Sequence, residues 1–225
     1  MTRPGETAET SLAAARARMV ERQLRDRGIR DERVLEAMGR VRRELFLPES
    51  LWPYAYEDGA LPIGEGQTIS QPFIVATICH LLELEGQERV LDVGTGSGYQ
   101  AAVLAELAEE VVTIERIPEL AERARVALRA SGATNVEVLV GDGSLGVPER
   151  APFDAVAVAA ASPRTPDALY GQLAPGGRLV VPRGTRWGQD LVQIVKTPEG
   201  PVERASVPCR FVPLVGAEGF EPADR

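Results

Sequence analysis

The densest group of chemistry-bearing residues lies in Val90-Leu91-Asp92-Val93-Gly94-Thr95-Gly96-Ser97-Gly98-Tyr99-Gln100. An apolar run carrying one acid, Asp92, turns through Gly94, Gly96 and Gly98, with Thr95 and Ser97 between them. Glycine lets the backbone take unusual dihedrals and lets a ligand lie directly against the chain. The spacing is G-x-G-x-G. The dinucleotide fingerprint is G-x-G-x-x-G with a diphosphate on the following helix, and here Tyr99 holds the place of its third glycine. A carboxylate at Asp92 repels a diphosphate and suits an ammonium group. The turn therefore predicts a cationic, phosphate-free cofactor. Glu115 follows about twenty residues after the first glycine, where an acid accepts both hydroxyls of a ribose, and Arg116 comes next. Asp142 and Gly143, in Gly141-Asp142-Gly143, end a third apolar run, where the carboxylate meets the amino group of an adenine. Taken singly, each acid reads as a helix cap or a solvated turn residue. At three successive strand ends they read as a cofactor-binding set.

Those strand ends need a sheet behind them. Arg89–Val93, Val111–Glu115, Val136–Val140, Phe153–Ala159 and Gly177–Pro182 read as strands. Tyr99–Ala108, Pro118–Ala130 and Asp167–Leu173 read as helices between them. Leu191–Val195 and Cys209–Leu214 read as later strands. Alternation of this kind predicts right-handed βαβ units and a mainly parallel sheet with helices on both faces, binding ligand at the carboxyl ends of its strands. Upstream, residues 12–27 show helical periodicity, Asp31 caps a second short helix, and 73–84 form a third. Between them, Arg43–Gln71 reads as a long irregular stretch rich in proline, glycine and aromatics, and a loop of that length is a functional feature. The expected architecture is a single α/β, Rossmann-like domain over 11–216. Residues 11–86 form an N-terminal helical and lid region and 87–216 the cofactor-binding core. Residues 1–10 are expected to be disordered, and 217–225 to form a tail with no assigned role.

The totals exclude several classes. No run of about 18 apolar residues is present, so no membrane helix is expected. Glu6 and Glu9 argue against a signal peptide. A net charge of -8 disfavours a nucleic-acid partner. The two cysteines, Cys79 and Cys209, match no metal spacing and suit a reducing cytoplasm. His80 is the only histidine, leaving little material for a zinc site or a His-based triad, and no metal is expected. The chain reads as a cytoplasmic monomer.

One further segment narrows the substrate. The glycine turn resembles the first motif of Rossmann-like methyltransferases. The run Ala55-Tyr56-Glu57-Asp58-Gly59-Ala60-Leu61-Pro62-Ile63-Gly64-Glu65-Gly66-Gln67-Thr68-Ile69-Ser70-Gln71-Pro72 resembles the signature of protein-L-isoaspartate O-methyltransferases. Arg27-Gly28-Ile29, Arg43-Glu44-Leu45-Phe46, Thr113-Ile114-Glu115-Arg116, Gly176–Val180 and Phe211-Val212-Pro213-Leu214 are similar to the same family. The likeness covers 18–216.

The resemblance implies methyl transfer from S-adenosyl-L-methionine to the α-carboxylate of L-isoaspartyl residues in proteins and peptides. The ester then closes to a succinimide, which reopens in part to aspartate. It implies Ser70 as the active-site residue, flanked by Thr68, Ile69 and Gln71 beside the cofactor. It also implies an exchange of the last two strands relative to the usual methyltransferase sheet. The physical chemistry is compatible: a carboxylate is ionised at neutral pH and needs no general base. The enzyme has mainly to align the reacting groups and exclude water. Without a base, Ser70 is no nucleophile; its reading is a hydroxyl that donates to the acceptor carboxylate. A polar turn capping the next helix, with Pro72 at its start, is the simpler role of the same residues.

Arg42 stands where the family usually has proline, and Ala160–Pro166 matches its counterpart only loosely. A same-fold methyltransferase acting on a dedicated peptide or small-molecule carboxylate is the alternative. A catalytically silent cofactor-binding protein is a second.

Overall fold

A computed structural model describes residues 4–221; residues 1–3 and 222–225, parts of the expected disordered start and of the tail, lie outside the described residues. Helix α1 spans Pro4–Arg18. It continues through a π turn, Met19–Leu24, and a 3-10 turn, Arg25–Arg27, that ends at Gly28 with φ 100°. The helix therefore begins before the expected position at residue 12. Pro4-Gly5-Glu6-Thr7-Ala8-Glu9 lacks an apolar stripe, but proline is favoured in a first turn, and Glu and Ala are good helix formers.

Helix α2, Glu32–Arg40, starts where expected: the Asp31 carboxylate accepts from the amides of Arg33 and Val34. Two 3-10 turns, Arg43–Phe46 and Glu49–Tyr54, follow. The predicted irregular stretch continues as turns and bends over 55–60 and then closes as a hairpin, β1 Leu61–Gly64 and β2 Gln67–Ile69. Glu65 and Gly66 at its tip have φ of 53° and 68°, the left-handed conformation that a two-residue hairpin turn requires. Arg123 holds the hairpin down by donating to the Ile63 carbonyl at 3.0 Å. Helix α3, Pro72–Leu82, opens on proline.

The core alternates β3 Arg89–Val93, α4 Tyr99–Ala105, β4 Glu110–Glu115, α5 Pro118–Ser131, β5 Val136–Val140, β6 Phe153–Val158 and α6 Asp167–Gly171. Three longer strands finish it: β7 Leu173–Gly184, β8 Gln189–Thr197 and β9 Gly200–Cys209. The seven-stranded sheet has the order β5-β4-β3-β6-β7-β8-β9. Its first five strands pair in parallel and its last three as an antiparallel meander. The last two strands thus lie in chain order. Central β3 and β6 are almost wholly buried, which accounts for their nearly unbroken apolar sequences.

The sequence reading of a final strand at Cys209–Leu214 is corrected. The strand is Gly200–Cys209, and it carries Pro201 and Pro208 because it is the sheet edge, where a missing ladder donor costs little. Residues 210–214 run on as a single extended segment. Ala161 N donates to Val212 O at 2.8 Å, Leu214 N to Ala161 O at 2.7 Å, and Phe211 N to Gln189 Oε1 of β8 at 2.9 Å.

The N-terminal region shares one core with the sheet: Met19, Leu24, Val34 and Met38 cluster with Tyr99, Val103 and Leu104 of α4. Tyr99 is fully enclosed, its ring edge-on to Phe46 at 5.7 Å and its hydroxyl donating to Met38 Sδ at 3.6 Å. The Arg43 guanidinium is buried over the Tyr99 ring at 4.8 Å, and burial pushes its pKa down to about 10. The residue after the glycine turn is thus the anchor for the region that carries the hairpin. No helix among the described residues is long and apolar enough to cross a membrane.

Candidate active site

β3, with β4 and β6 as its neighbours, is the point where the strand order reverses, the place where open α/β sheets bind ligands. A cleft opens there, at the carboxyl ends of the strands. Its walls come from the turn after β3 (Gly94, Thr95, Gly96, Ser97), the end of β4 (Glu115, Arg116) and Gly143 after β5. Hairpin residues Thr68 and Ile69, then Ser70, and the segment Val212–Val215 complete it. Ten of the fourteen residues expected at the cofactor thus share one cavity.

The other four sit elsewhere for physical reasons. Asp92 is fully buried beneath the turn. Gln100 Nε2 donates to its Oδ1 at 2.7 Å and Thr113 Oγ1 to its Oδ2 at 2.8 Å. Burial raises its pKa to about 6, and the two hydrogen bonds only partly offset that. Gly98 faces α5: a Cβ there would lie 3.3 Å from both Ala124 Cβ and Leu128 Cγ. It serves close helix packing. Gln71 donates to Asp58 Oδ1 at 2.7 Å and lines a neighbouring groove. Asp142 caps a 3-10 turn, Gly143–Leu145, through Ser144. Its Oδ2 accepts from Ala217 N at 2.8 Å. Burial works against its ionised form, but the Ala217 and Ser144 donors outweigh it and hold its pKa below the usual range.

Glu115 lies in the cavity wall. Its Oε2 accepts from Gly96 N at 2.9 Å and its Oε1 from Ile117 N at 3.0 Å. Each carboxylate oxygen has capacity for a further donor, which fits a pair of vicinal hydroxyls. Gly143 is close-packed: a Cβ would fall 2.7 Å from Val93 Cγ1. Ser70 makes no hydrogen bond among the described residues, and the N-cap of α3 is Gln71, with no side-chain cap. The capping role is therefore not taken up, and the hydroxyl is free.

Ser70, Thr68, Ala159 and Val212 also line a second groove, continued by Ala60, Gln71, Ile74, Pro208, Cys209, Arg210 and Phe211. The sequence reading missed Gln100, the Ala159-Ala160 end of β6, Arg210 and Val215 as wall residues. Gln100 belongs to the glycine motif itself, and a polar residue on the buried face of the following helix was the available signal.

This fold resembles those of solved methyltransferases. A structure named protein-L-isoaspartate O-methyltransferase superposes with a TM-score of 0.79 at 30% identity, covering 90% of this chain and 66% of that one. A Plasmodium falciparum chain, assigned as a protein-L-isoaspartate O-methyltransferase and bound to S-adenosyl-L-homocysteine, gives 0.77 at 25% identity, covering 89% of this chain and 98% of its own. The protein is a Rossmann-like methyltransferase that uses S-adenosyl-L-methionine. The protein-L-isoaspartate(D-aspartate) O-methyltransferase family model matches residues 15–219. Protein-L-isoaspartate O-methyltransferases of Methanoculleus marisnigri and Marinobacter nauticus are 56% and 58% identical over 92% and 93% of this chain, and 94% and 96% of their own. The chain belongs to that family.

Proposed function

We propose that the protein methylates the α-carboxylate of L-isoaspartyl residues in damaged proteins and peptides, starting their return to aspartate. The observation that carries this reading is the shared wall: Ser70 stands in both the cofactor cleft and the adjoining groove, its hydroxyl uncommitted. A peptide in the groove brings its carboxylate to the side of the cleft where Ser70 lies.

When bound, S-adenosyl-L-methionine supplies an activated methyl group on its sulfonium. The chain's own residues do the rest. Glu115 holds the ribose hydroxyls, and the Gly94–Gly96 turn lets the cofactor lie against the backbone. Ser70 donates to one oxygen of the acceptor carboxylate and fixes its direction of approach, which is where alignment lowers the barrier. No residue has to remove a proton, because the acceptor is already ionised. Arg210, at the groove, favours an anionic acceptor in a protein whose net charge is -8. Ala60 and the hairpin residue Thr68 stand in the groove wall.

The same reading takes the enzyme as a cytoplasmic monomer that engages neither nucleic acid nor membrane, in keeping with its acidic charge. The nature of the bond made tests it. Label transferred from methyl-labelled cofactor to an isoaspartyl peptide should leave as methanol in mild base, as a carboxyl ester does. Label that stays on the peptide would place the methyl on another kind of group.

A further inference from the structure

We infer that Gln100 receives the α-ammonium group of the cofactor's methionine end on its side-chain carbonyl oxygen, with Asp92 as the positioning residue that fixes the amide's orientation. The inference rests on the cofactor reading above and assigns a residue within that site.

Gln100 opens the first turn of α4, is 6% exposed and lines the cleft. Its Nε2 lies 2.7 Å from Asp92 Oδ1. A carboxylate only accepts, so the amide must turn its NH2 group toward Asp92 and its oxygen away. The other Asp92 oxygen is filled by Thr113 Oγ1, which lies 2.7 Å from Thr95 Oγ1. In this buried network one acceptor is left over: Gln100 Oε1 has no hydrogen-bond partner. Leaving a buried acceptor empty is costly. Asp92 does not line the cleft, whereas Gln100, the residue that carries the empty acceptor, does.

The polarity of the network selects the ligand group. The amide dipole has its positive end on a buried carboxylate and its negative end on the unpartnered oxygen. A cation at that oxygen completes an aligned series of charge, dipole and charge in a low-dielectric wall. An anionic group there would face the carbonyl oxygen and be repelled. Of the cofactor's donors, the ribose hydroxyls match Glu115, and the α-ammonium is the one that carries a positive charge and three N–H bonds. The carboxylate expected from sequence to face the ammonium thus acts one residue removed.

Three ligands separate the possibilities: S-adenosylhomocysteine, its analogue lacking only the α-amino group, and 5′-methylthioadenosine, which lacks the whole amino-acid end. Calorimetric Kd values are compared for wild type and Gln100→Leu. The expected result is a roughly ten- to hundredfold loss for S-adenosylhomocysteine and less than a twofold change for the other two. Equal loss for all three would make Gln100 a structural residue and overturn the inference, as would no loss for any. Loss for the deamino analogue as well as S-adenosylhomocysteine would assign the contact to the carboxylate and overturn it too. Failure of wild type to bind S-adenosylhomocysteine would instead overturn the cofactor reading itself. A measurement on the unsubstituted protein guards against misfolding of the variant. The Gln100 side-chain amide NMR signals should shift with S-adenosylhomocysteine and not with the deamino analogue. Identical shifts with both would contradict the assignment.

Discussion

The amide of Gly96 donates to Glu115 Oε2 at 2.9 Å, so the glycine turn after β3 and the acid at the end of β4 are one unit. The turn holds the acid in place, and the acid holds the turn open toward the cleft. Glu115→Gln puts an NH2 group against a backbone donor or a ribose hydroxyl. S-adenosylhomocysteine affinity is expected to fall roughly ten- to hundredfold, the value of a hydrogen-bond pair to a charged group. Calorimetric titration reads this, and an unchanged Kd would remove Glu115 from the ribose site.

Ser70 has the opposite signature, because it faces the groove as well as the cleft. Ser70→Ala should lower kcat on an isoaspartyl peptide by roughly ten- to hundredfold while S-adenosylhomocysteine binding changes less than threefold. Steady-state kinetics beside calorimetry makes the comparison. Equal loss in both would sink the role of aligning the acceptor.

Much of this was legible because β3, β4 and β5 announce themselves as apolar runs and carry Asp92, Glu115 and Asp142 at or just past their ends. The strand ends thereby fall on one side of the sheet whatever the details. The facing of each side chain was not legible. Asp92 sits one position before the strand's final residue, and alternation along the strand turns it into the interior rather than toward the ligand. The edge strand β9 was hidden by its prolines and charges, which only an edge tolerates. The β1-β2 hairpin was hidden by its brevity, being four residues against three. The partner of Asp142 comes from residue 217, a contact 75 positions away that no local pattern encodes.

That contact carries its own consequence. Gly216 runs so close to Asp142 that a Cβ there would lie 2.0 Å from Oδ1. Ala217 N and Glu218 N then bond Asp142 and Ser144, and the Glu218 carboxylate accepts from Ala168 N at 3.0 Å. Gly216→Ala should release this turn, seen as faster hydrogen exchange at the Ala217 and Glu218 amides. Because the Asp142 pKa is lowered in the folded state, the tie should persist above the ordinary carboxylate pKa and loosen only as pH falls through the depressed value. Exchange at these amides that rises already between pH 7 and 5 would contradict this.

Asp92 predicts a dependence of the reverse sign. Its folded pKa is raised from 3.8 to about 6, so between those values the folded state binds more protons than the unfolded. Stability therefore falls as pH rises through that window, and the cost of the buried charge is complete above about pH 6. Asp92→Asn should gain on wild type from pH 4 to pH 7 by up to about 3 kcal/mol. Urea titrations of both proteins at the two pH values give the difference. A gap that stays constant, or widens in favour of wild type, would mean Asp92 is not a buried, unpaired charge.

The central claim is that the groove beside Ser70 presents an isoaspartyl carboxylate to the cofactor. Two synthetic peptides test it most directly, identical except that one carries L-isoaspartate where the other carries L-aspartate, with S-adenosylhomocysteine release as the readout. The expected result is turnover on the isoaspartyl peptide and none above background on its partner. Equal turnover on both, or none on either from protein that binds the cofactor tightly, would contradict the account and turn attention to a dedicated acceptor.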